Sequence, residues 1–319
     1  MNDKPAARHF DAVTVTLNPA IDRTVTIPNF AAGIVNRVED MVSTAGGKGV
    51  NVASTLADDG HTVAVTGFLG RDNPGVFEAL FTRKQIEDRF VRIAGQTRVG
   101  IKIVDPVQQQ TTDINFPGQA PLPADLDALR ERLAALDGRW FVLAGSLPPA
   151  VDVTIYRDLV ATLQARGGSV LLDTSGEALR YAVEAVPRII KPNIHELEVL
   201  TGETLAGRRE VIAAARKLLA RGIEMVAVSM GKEGACFVTA ETVVTAQPPD
   251  VVVRSTVGAG DAMVAGIIAG QLRRLPLDIC ARLATAFSLD AITRIGGDLR
   301  SAAEIERLMA RVGVDELQA

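Results

Sequence analysis

Residues 255–261 read Ser-Thr-Val-Gly-Ala-Gly-Asp and lead directly into Ala262–Leu272, a Gly- and Ala-rich run with helical periodicity. Small residues ahead of a helix let the backbone come close to a ligand. The first N–H groups of a helix have no partner within it, and the macrodipole is positive there. Such a start stabilises a phosphate or a transferring phosphoryl group. Asp261 is expected to be held ionised by the same field, which makes it a proton acceptor beside an anion hole. Attack of a hydroxyl on ATP requires that combination. The plainer alternative is that Asp261 only caps a helix. It would serve for an isolated Gly-x-Gly-Asp, but it leaves the rest of the string unexplained.

Outward from this string, apolar runs alternate with amphipathic stretches. Buried strands are predicted at Val13–Asn18, Val63–Leu69, Trp140–Ala144, Ser169–Asp173, Arg188–Ile190 and Met225–Ser229. Helices are predicted at Asp125–Leu136, Thr154–Arg166, Arg208–Arg221, Asp261–Arg273 and Ile279–Thr293. Strands followed by helices imply an α/β fold with a largely parallel sheet covered on both faces. Ligands of such sheets bind beyond the carboxyl ends of the strands. Residues 23–42 and 97–116 break the rhythm and read as short alternating strands with turns. In the second region Val99, Ile101 and Ile103 share one face, while Arg98, Gly100 and Lys102 share the other. Two cations flanking a residue without a side chain suit a small anionic ligand, or simply a solvated strand surface. A small separate sheet with an apolar face must cover or pair with something. It is read as a lid over the site and as a surface for dimerisation.

Three further strings could carry chemistry. Ala45-Gly46-Gly47-Lys48-Gly49-Val50-Asn51 lacks the GxxxxGK[ST] spacing of a Walker A loop and the dinucleotide GxGxxG. Glycines around one lysine still describe a backbone that approaches a polar ligand, with Asn51 able to bond hydroxyls; a tight turn with a solvated lysine is the other reading. Lys191-Pro192-Asn193-Ile194-His195-Glu196 follows an apolar strand and places amide and carboxylate oxygens, which suit Mg²⁺ through water, near its carboxyl end. Taken alone, Glu196 is more often a solvated helix charge. Ser229-Met230-Gly231-Lys232-Glu233-Gly234 is either a hairpin or a backbone cradle for phosphates.

Composition narrows the class. A chain of 319 residues, 47% hydrophobic and 23% charged, is globular and long enough for a deep core without disulfide or metal staples. Aromatics are only 4%, so that core must be built from Val, Leu, Ile and Ala. The net charge of -4 and the lack of a basic tract speak against nucleic-acid binding. Cys236 and Cys280 form no CxxC pair, and His9, His61 and His195 show no ligand spacing, so a reduced, cytoplasmic protein is expected. Residues 1–12 have no apolar signal-peptide core and read as a loose leader ahead of one domain, 13–319. The longest apolar stretch, Val257–Leu272, contains Asp261 and is too short to span a bilayer of about 30 Å.

Taken in this order, the strings resemble the ribokinase-like (PfkB) carbohydrate kinases, whose two signatures are matched at 46–51 and 255–261. The resemblance implies a three-layer α/β/α sandwich with a small β-sheet lid. It also implies roles. Asp261 would accept the sugar hydroxyl proton, and Gly258, Ala259 and Gly260 would supply the anion hole. Asp22, Gly46, Gly47 and Asn51 would hold the sugar. Lys191, Asn193, Ser229, Gly231, Gly234 and Thr256 would line the ATP site, with Glu196 placing Mg²⁺ through water. Within the family, the opening Thr16-Leu17-Asn18-Pro19-Ala20-Ile21-Asp22, the run Gly67–Asn73, and Thr112–Phe116 are similar to the branch of bacterial 1-phosphofructokinases. That branch implies phosphorylation of fructose 1-phosphate at C6, with the existing phosphate fixed by Arg98, Lys102 and Lys48, and a homodimer through the lid. A tagatose-6-phosphate kinase is the alternative within the family. A non-catalytic nucleotide or sugar-phosphate sensor is the alternative from another class.

Overall fold

The computed structural model describes residues 9–294 and 298–318. In chain order, β1 (His9–Thr16), β2 (Ala20–Thr26) and β3 (Asp40–Gly46) precede α1 (Lys48–Asp58), β4 (Val63–Gly70) and α2 (Gly75–Lys84). The short β5 (Glu87–Asp88) and β6 (Val91–Ile93) follow, then β7 (Val99–Asp105), β8 (Gln110–Ile114), α3 (Pro123–Ala135) and β9 (Asp137–Ala144). The middle of the chain continues with α4 (Ile155–Ala165), β10 (Ser169–Asp173), α5 (Gly176–Ala182), β11 (Ile189–Ile190), α6 (Ile194–Thr201) and α7 (Arg208–Leu219). It closes with β12 (Met225–Ser229), β13 (Ala235–Val238), β14 (Thr242–Gln247), α8 (Ala259–Leu272), α9 (Leu277–Ile292), α10 (Ala302–Arg311) and β15 (Gly313–Gln318).

The main sheet has the order β15-β14-β13-β12-β11-β10-β9-β1-β4-β5, with β6 also on β4. It is parallel from β5 to β12, and β13 to β15 add antiparallel strands at one edge. Because strand side chains alternate, successive residues feed opposite layers. Val63, Val65 and Leu69 of β4 pack with α1, α8 and α9, whereas Ala64 and Phe68 pack into the cluster that holds α3, α4 and α7. The parallel sheet covered on both faces is thus the expected one, and all six predicted core strands are present. No helix among the described residues is long and apolar enough to cross a membrane.

Two expectations about boundaries change. The leader does not extend to residue 12: β1 begins at His9, because Phe10 and Ala12 bury their side chains as the strand runs alongside β9; residues 1–8 lie outside the described residues. The small sheet, ordered β3-β2-β7-β8, draws its first two strands from 20–26 and 40–46, with 27–39 between them as connecting chain. Val25, Ile27 and Ile103 form its own apolar cluster, and Val99 packs onto the main core.

Helix α8 is buried on every side, which explains its lack of a polar face. It meets α9 at glycines. A Cβ at Gly266 would stand 2.5 Å from the Ala284 Cα, and one at Gly270 2.5 Å from the Cys280 Sγ. The Gly/Ala composition of the run after Asp261 therefore serves helix packing as well as ligand approach. Gly266→Val is expected to force the helices apart and lower stability by about 1–3 kcal/mol. Thermal melting checks this, and an unchanged midpoint would contradict the packing.

Candidate active site

The small-residue string forms a turn into α8. Gly258 takes the left-handed conformation (φ 76°) and precedes the helix. The first helical bond runs from the Ala262 N–H to the Gly258 carbonyl. The N–H groups of Ala259, Gly260 and Asp261 thus stand ahead of the helical ladder, in the position where a helix leaves donors for a ligand. The Asp261 carboxylate is buried and accepts a hydrogen bond from Asn51 Nδ2 at 2.7 Å. Burial, and next the neighbouring Asp173 carboxylate, push its pKa up to about 6 against the pull of Asn51, Lys48 and Lys191. Desolvation is the largest of these effects, because burial strips water from a full charge. The group is still predominantly ionised at neutral pH.

Asn51, Gly258 and Ala262 line a cleft of about 210 Å³. Asp261 sits just behind that wall, on Asn51. The opposite wall is the small sheet, which contributes Asp22, Thr24 and Lys102. Lys102 Nζ lies 3.9 Å from Asp22 Oδ2. Burial raises the Asp22 pKa, opposed by Lys102 and Arg98. Gly46 and Gly100 back this carboxylate: a side chain at 46 would collide with Asp22 Oδ2, and a Cβ at 100 would lie 3.1 Å from Oδ1.

The Gly46–Asn51 string forms a strand-to-helix junction. Gly46 ends β3, Gly47 (φ 117°) is the single-residue junction, and Lys48 already begins α1. Gly46 and Gly49 are small because Asp22 and Thr16 press on them, so their close approach is to this chain's own side chains. Lys48 is no solvated turn lysine. Its Nζ donates to Asp173 Oδ1 at 3.0 Å, and Lys191 Nζ lies 3.5 Å from the same oxygen. Burial pulls the Lys48 pKa down, but Asp173 and Asp261 outweigh it and leave it raised.

Arg98 stands one residue before β7, where its carbonyl accepts from the Ile21 N–H at 2.8 Å, and its charge acts on Asp22 as that of Lys102 does. Its guanidinium turns to the carbonyls of Asn18 and Phe116, both at 3.1 Å, and opens on a neighbouring recess with Asn115 and Ser146. Arg98 and Lys102 both act on Asp22, from adjoining recesses.

On the other side, Lys191 follows β11, and a Cβ at Gly260 would lie 3.5 Å from its Nζ. Asn193 caps α6: its Oδ1 accepts from the Glu196 N–H, and the Glu196 carboxylate accepts from the Asn193 N–H, both at 2.9 Å. Glu196 is thus part of a capping box, and its charge also acts on Lys48. Asn193 and Ser229 form a bridge that joins the ends of β11 and β12. Residues 229–234 are a hairpin into β13, as the plainer reading had it. Gly234 is required there because a side chain would collide with the Ala246 carbonyl. Thr256 is exposed on the loop before Gly258.

Residues 13–303 match the family described as pfkB family carbohydrate kinase. This chain belongs to the pfkB family. The kinase is 49% identical over 307 residues to a Rhodobacter capsulatus protein named 1-phosphofructokinase, covering 95% of this chain and 97% of that relative. A protein of the same name from Xanthomonas campestris pv. campestris is 48% identical over 285 residues, covering 87% and 90%. Among solved structures, phosphofructokinase-2 from Escherichia coli in complex with fructose-6-phosphate is similar with a TM-score of 0.88 at 26% identity, covering 94% of this chain and 98% of that one. Membership makes this PfkB chain a phosphotransferase acting on a small carbohydrate with ATP as the expected donor.

The sequence reading missed Asp173, Ser146 and Asn18 in this kinase. Asp173 is the last residue of a predicted parallel strand, where ligands gather, so that position was the available signal. Asn18 donates to Ser146 Oγ and to the carbonyls of Pro117 and Leu147. Contacts across some hundred residues leave no local pattern.

Proposed function

We propose that the protein transfers the γ-phosphoryl group of ATP to the C6 hydroxyl of D-fructose 1-phosphate, giving fructose 1,6-bisphosphate. The observation that carries this is Asp261, held by Asn51 in the first turn of α8, behind a cleft whose far wall is Asp22 and Lys102. The relatives named 1-phosphofructokinase, at 48–49% identity over most of the chain, support the choice of sugar.

In this reading Asp261 takes the proton of the C6 hydroxyl as that oxygen bonds to phosphorus and the bond to ADP breaks. The transition state is loose, so positioning and charge stabilisation do most of the work. The N–H groups of Ala259, Gly260 and Asp261 receive the transferring group. Asp22 and Asn51 hold hydroxyls of the furanose. Arg98, next to Asn115 and Ser146, takes the existing phosphate, and Lys102 adds positive charge from the cleft wall. Lys191, Asn193, Ser229, Gly231 and Thr256 border the nucleotide. Among the described residues no group of His, Cys, Asp or Glu forms a metal cage. This fits Mg²⁺ carried on the nucleotide phosphates, with Glu196, already bonded to a backbone N–H, reaching it through water. The ion, when bound, neutralises charge on those phosphates. The small sheet would close as a lid that excludes water. Exposed Met41 and Ile114, on the face of that sheet away from Lys102, support a homodimer through it.

The deciding assay follows ADP release with fructose 1-phosphate, tagatose 6-phosphate and no sugar in parallel. The highest kcat/KM is expected on fructose 1-phosphate. A preference for tagatose 6-phosphate would overturn the sugar assignment, and no sugar-dependent ADP release at all would turn the reading toward a sensor.

A further inference from the structure

We infer that Asp173 is a positioning residue for the phosphoryl transfer: one buried carboxylate gathers Lys48 from the sugar side and Lys191 from the nucleotide side into a fixed pair of charges beside Asp261. This rests on the kinase reading above and adds a residue to it.

The geometry singles Asp173 out. Its side chain is fully buried, and Oδ1 lies 3.0 Å from Lys48 Nζ and 3.5 Å from Lys191 Nζ. These lysines come from the first residue of α1 and from the residue after β11, and the shared oxygen is what brings their ammonium groups together. The backbone that carries the carboxylate is well fixed. The Asp173 carbonyl accepts from the Gly145 N–H at 3.0 Å, and the Lys191 N–H donates to the Leu172 carbonyl at 3.1 Å. Gly145 is held in turn, because its carbonyl accepts from Thr174 Oγ1 at 2.8 Å and from the Tyr156 hydroxyl at 3.1 Å.

A purely stabilising role explains this poorly. Buried ion pairs are weak contributors to stability compared with apolar residues of similar size. Here both lysines crowd one oxygen of the carboxylate. The group also lies at the carboxyl end of a parallel strand, the ligand side of the sheet. Lys48 is anchored on a buried anion yet keeps about a third of its side chain exposed. Cations fixed in advance stabilise the charge spread over a transferring phosphoryl group without reorganising. Without Asp173 the ammonium groups would repel one another and swing apart. Asp173 takes no part in making or breaking bonds.

The test uses the full chain and compares wild type, Asp173→Asn, Lys48→Met and the double variant, with fructose 1-phosphate and MgATP. Asp173→Asn is expected to lower kcat about a hundredfold, the scale of losing one preorganised charge. Each KM should stay within about threefold. The acid limb of kcat should move to lower pH, because one like charge facing Asp261 is gone while Lys48, Lys191 and Asn51 remain. In the cycle the double variant should be little worse than the poorer single. Three results would overturn the inference: kcat within about threefold of wild type, losses that multiply in the double variant, or a loss that vanishes on cooling together with a lowered melting point. Should Asp173→Asn not fold, the same cycle with Lys48→Met and Lys191→Met applies, and multiplying losses would again contradict a shared anchor. If wild type turns over another phosphosugar instead, the sugar assignment falls and the comparison is made on that sugar.

Discussion

Replacing Asp261 by Asn lowers kcat by about 10²–10⁴-fold, the usual contribution of a general base, while ATP still binds. Asn keeps the volume and a hydrogen-bonding oxygen for Asn51, so the cleft wall stays in place; what it loses is the ability to take a proton. The same residue sets the acid side of the pH profile. Burial and Asp173 push the Asp261 pKa up to about 6. The reactive form is the deprotonated one. Activity is therefore full above neutrality and falls through about pH 6, roughly tenfold for each further unit of acidity. Steady-state kinetics across this range, with ATP binding followed by calorimetry, check both parts. Near wild-type turnover by the Asn variant, or a kcat that stays level well below pH 6, would remove Asp261 from its assigned role.

Arg98→Ala raises KM for fructose 1-phosphate by about 10- to 100-fold, the value of one or two charge-assisted hydrogen bonds, with kcat much less affected. The guanidinium is already oriented by the Asn18 and Phe116 carbonyls, so its remaining donors face the recess shared with Asn115 and Ser146 without a large ordering cost. Arg98→Lys should restore little, because a point charge on a flexible stem cannot keep those carbonyl bonds and the phosphate contact together. Initial rates on fructose 1-phosphate and on unphosphorylated fructose separate the explanations. An equal loss on both sugars would mean that Arg98 shapes the loop and does not bind the phosphate. A parallel rise in KM for ATP would point to a general disturbance of the cleft.

The glycines show where sequence reading reached its limit. A glycine next to a motif residue can be small for a ligand or for a neighbour in its own chain, and sequence does not distinguish the two. Gly258 leads into the helix with a left-handed backbone, as a ligand-facing turn requires. Gly46, Gly49 and Gly234 are small for Asp22, Thr16 and the Ala246 carbonyl. Arg98 and Lys102 make the same point for charges. Strand alternation places them together and both act on Asp22, but it does not show the Asn18 and Phe116 carbonyls that orient the Arg98 guanidinium.

What the chain alone determined was the set of properties that are local or periodic: the alternation of strands and helices, the turn before α8 with its acid, the separate small sheet, and the family that those strings resemble. Periodicity records which face of an element is buried, and a helix start carries its own electrostatics, so both are legible without coordinates. Only the tertiary structure decided which charges meet. Asp173 joins Lys48 across 125 positions, and Asn51 reaches Asp261 across 210. It also decided that Asp261 titrates near 6, because desolvation depends on everything packed around a group and not on its neighbours in the chain.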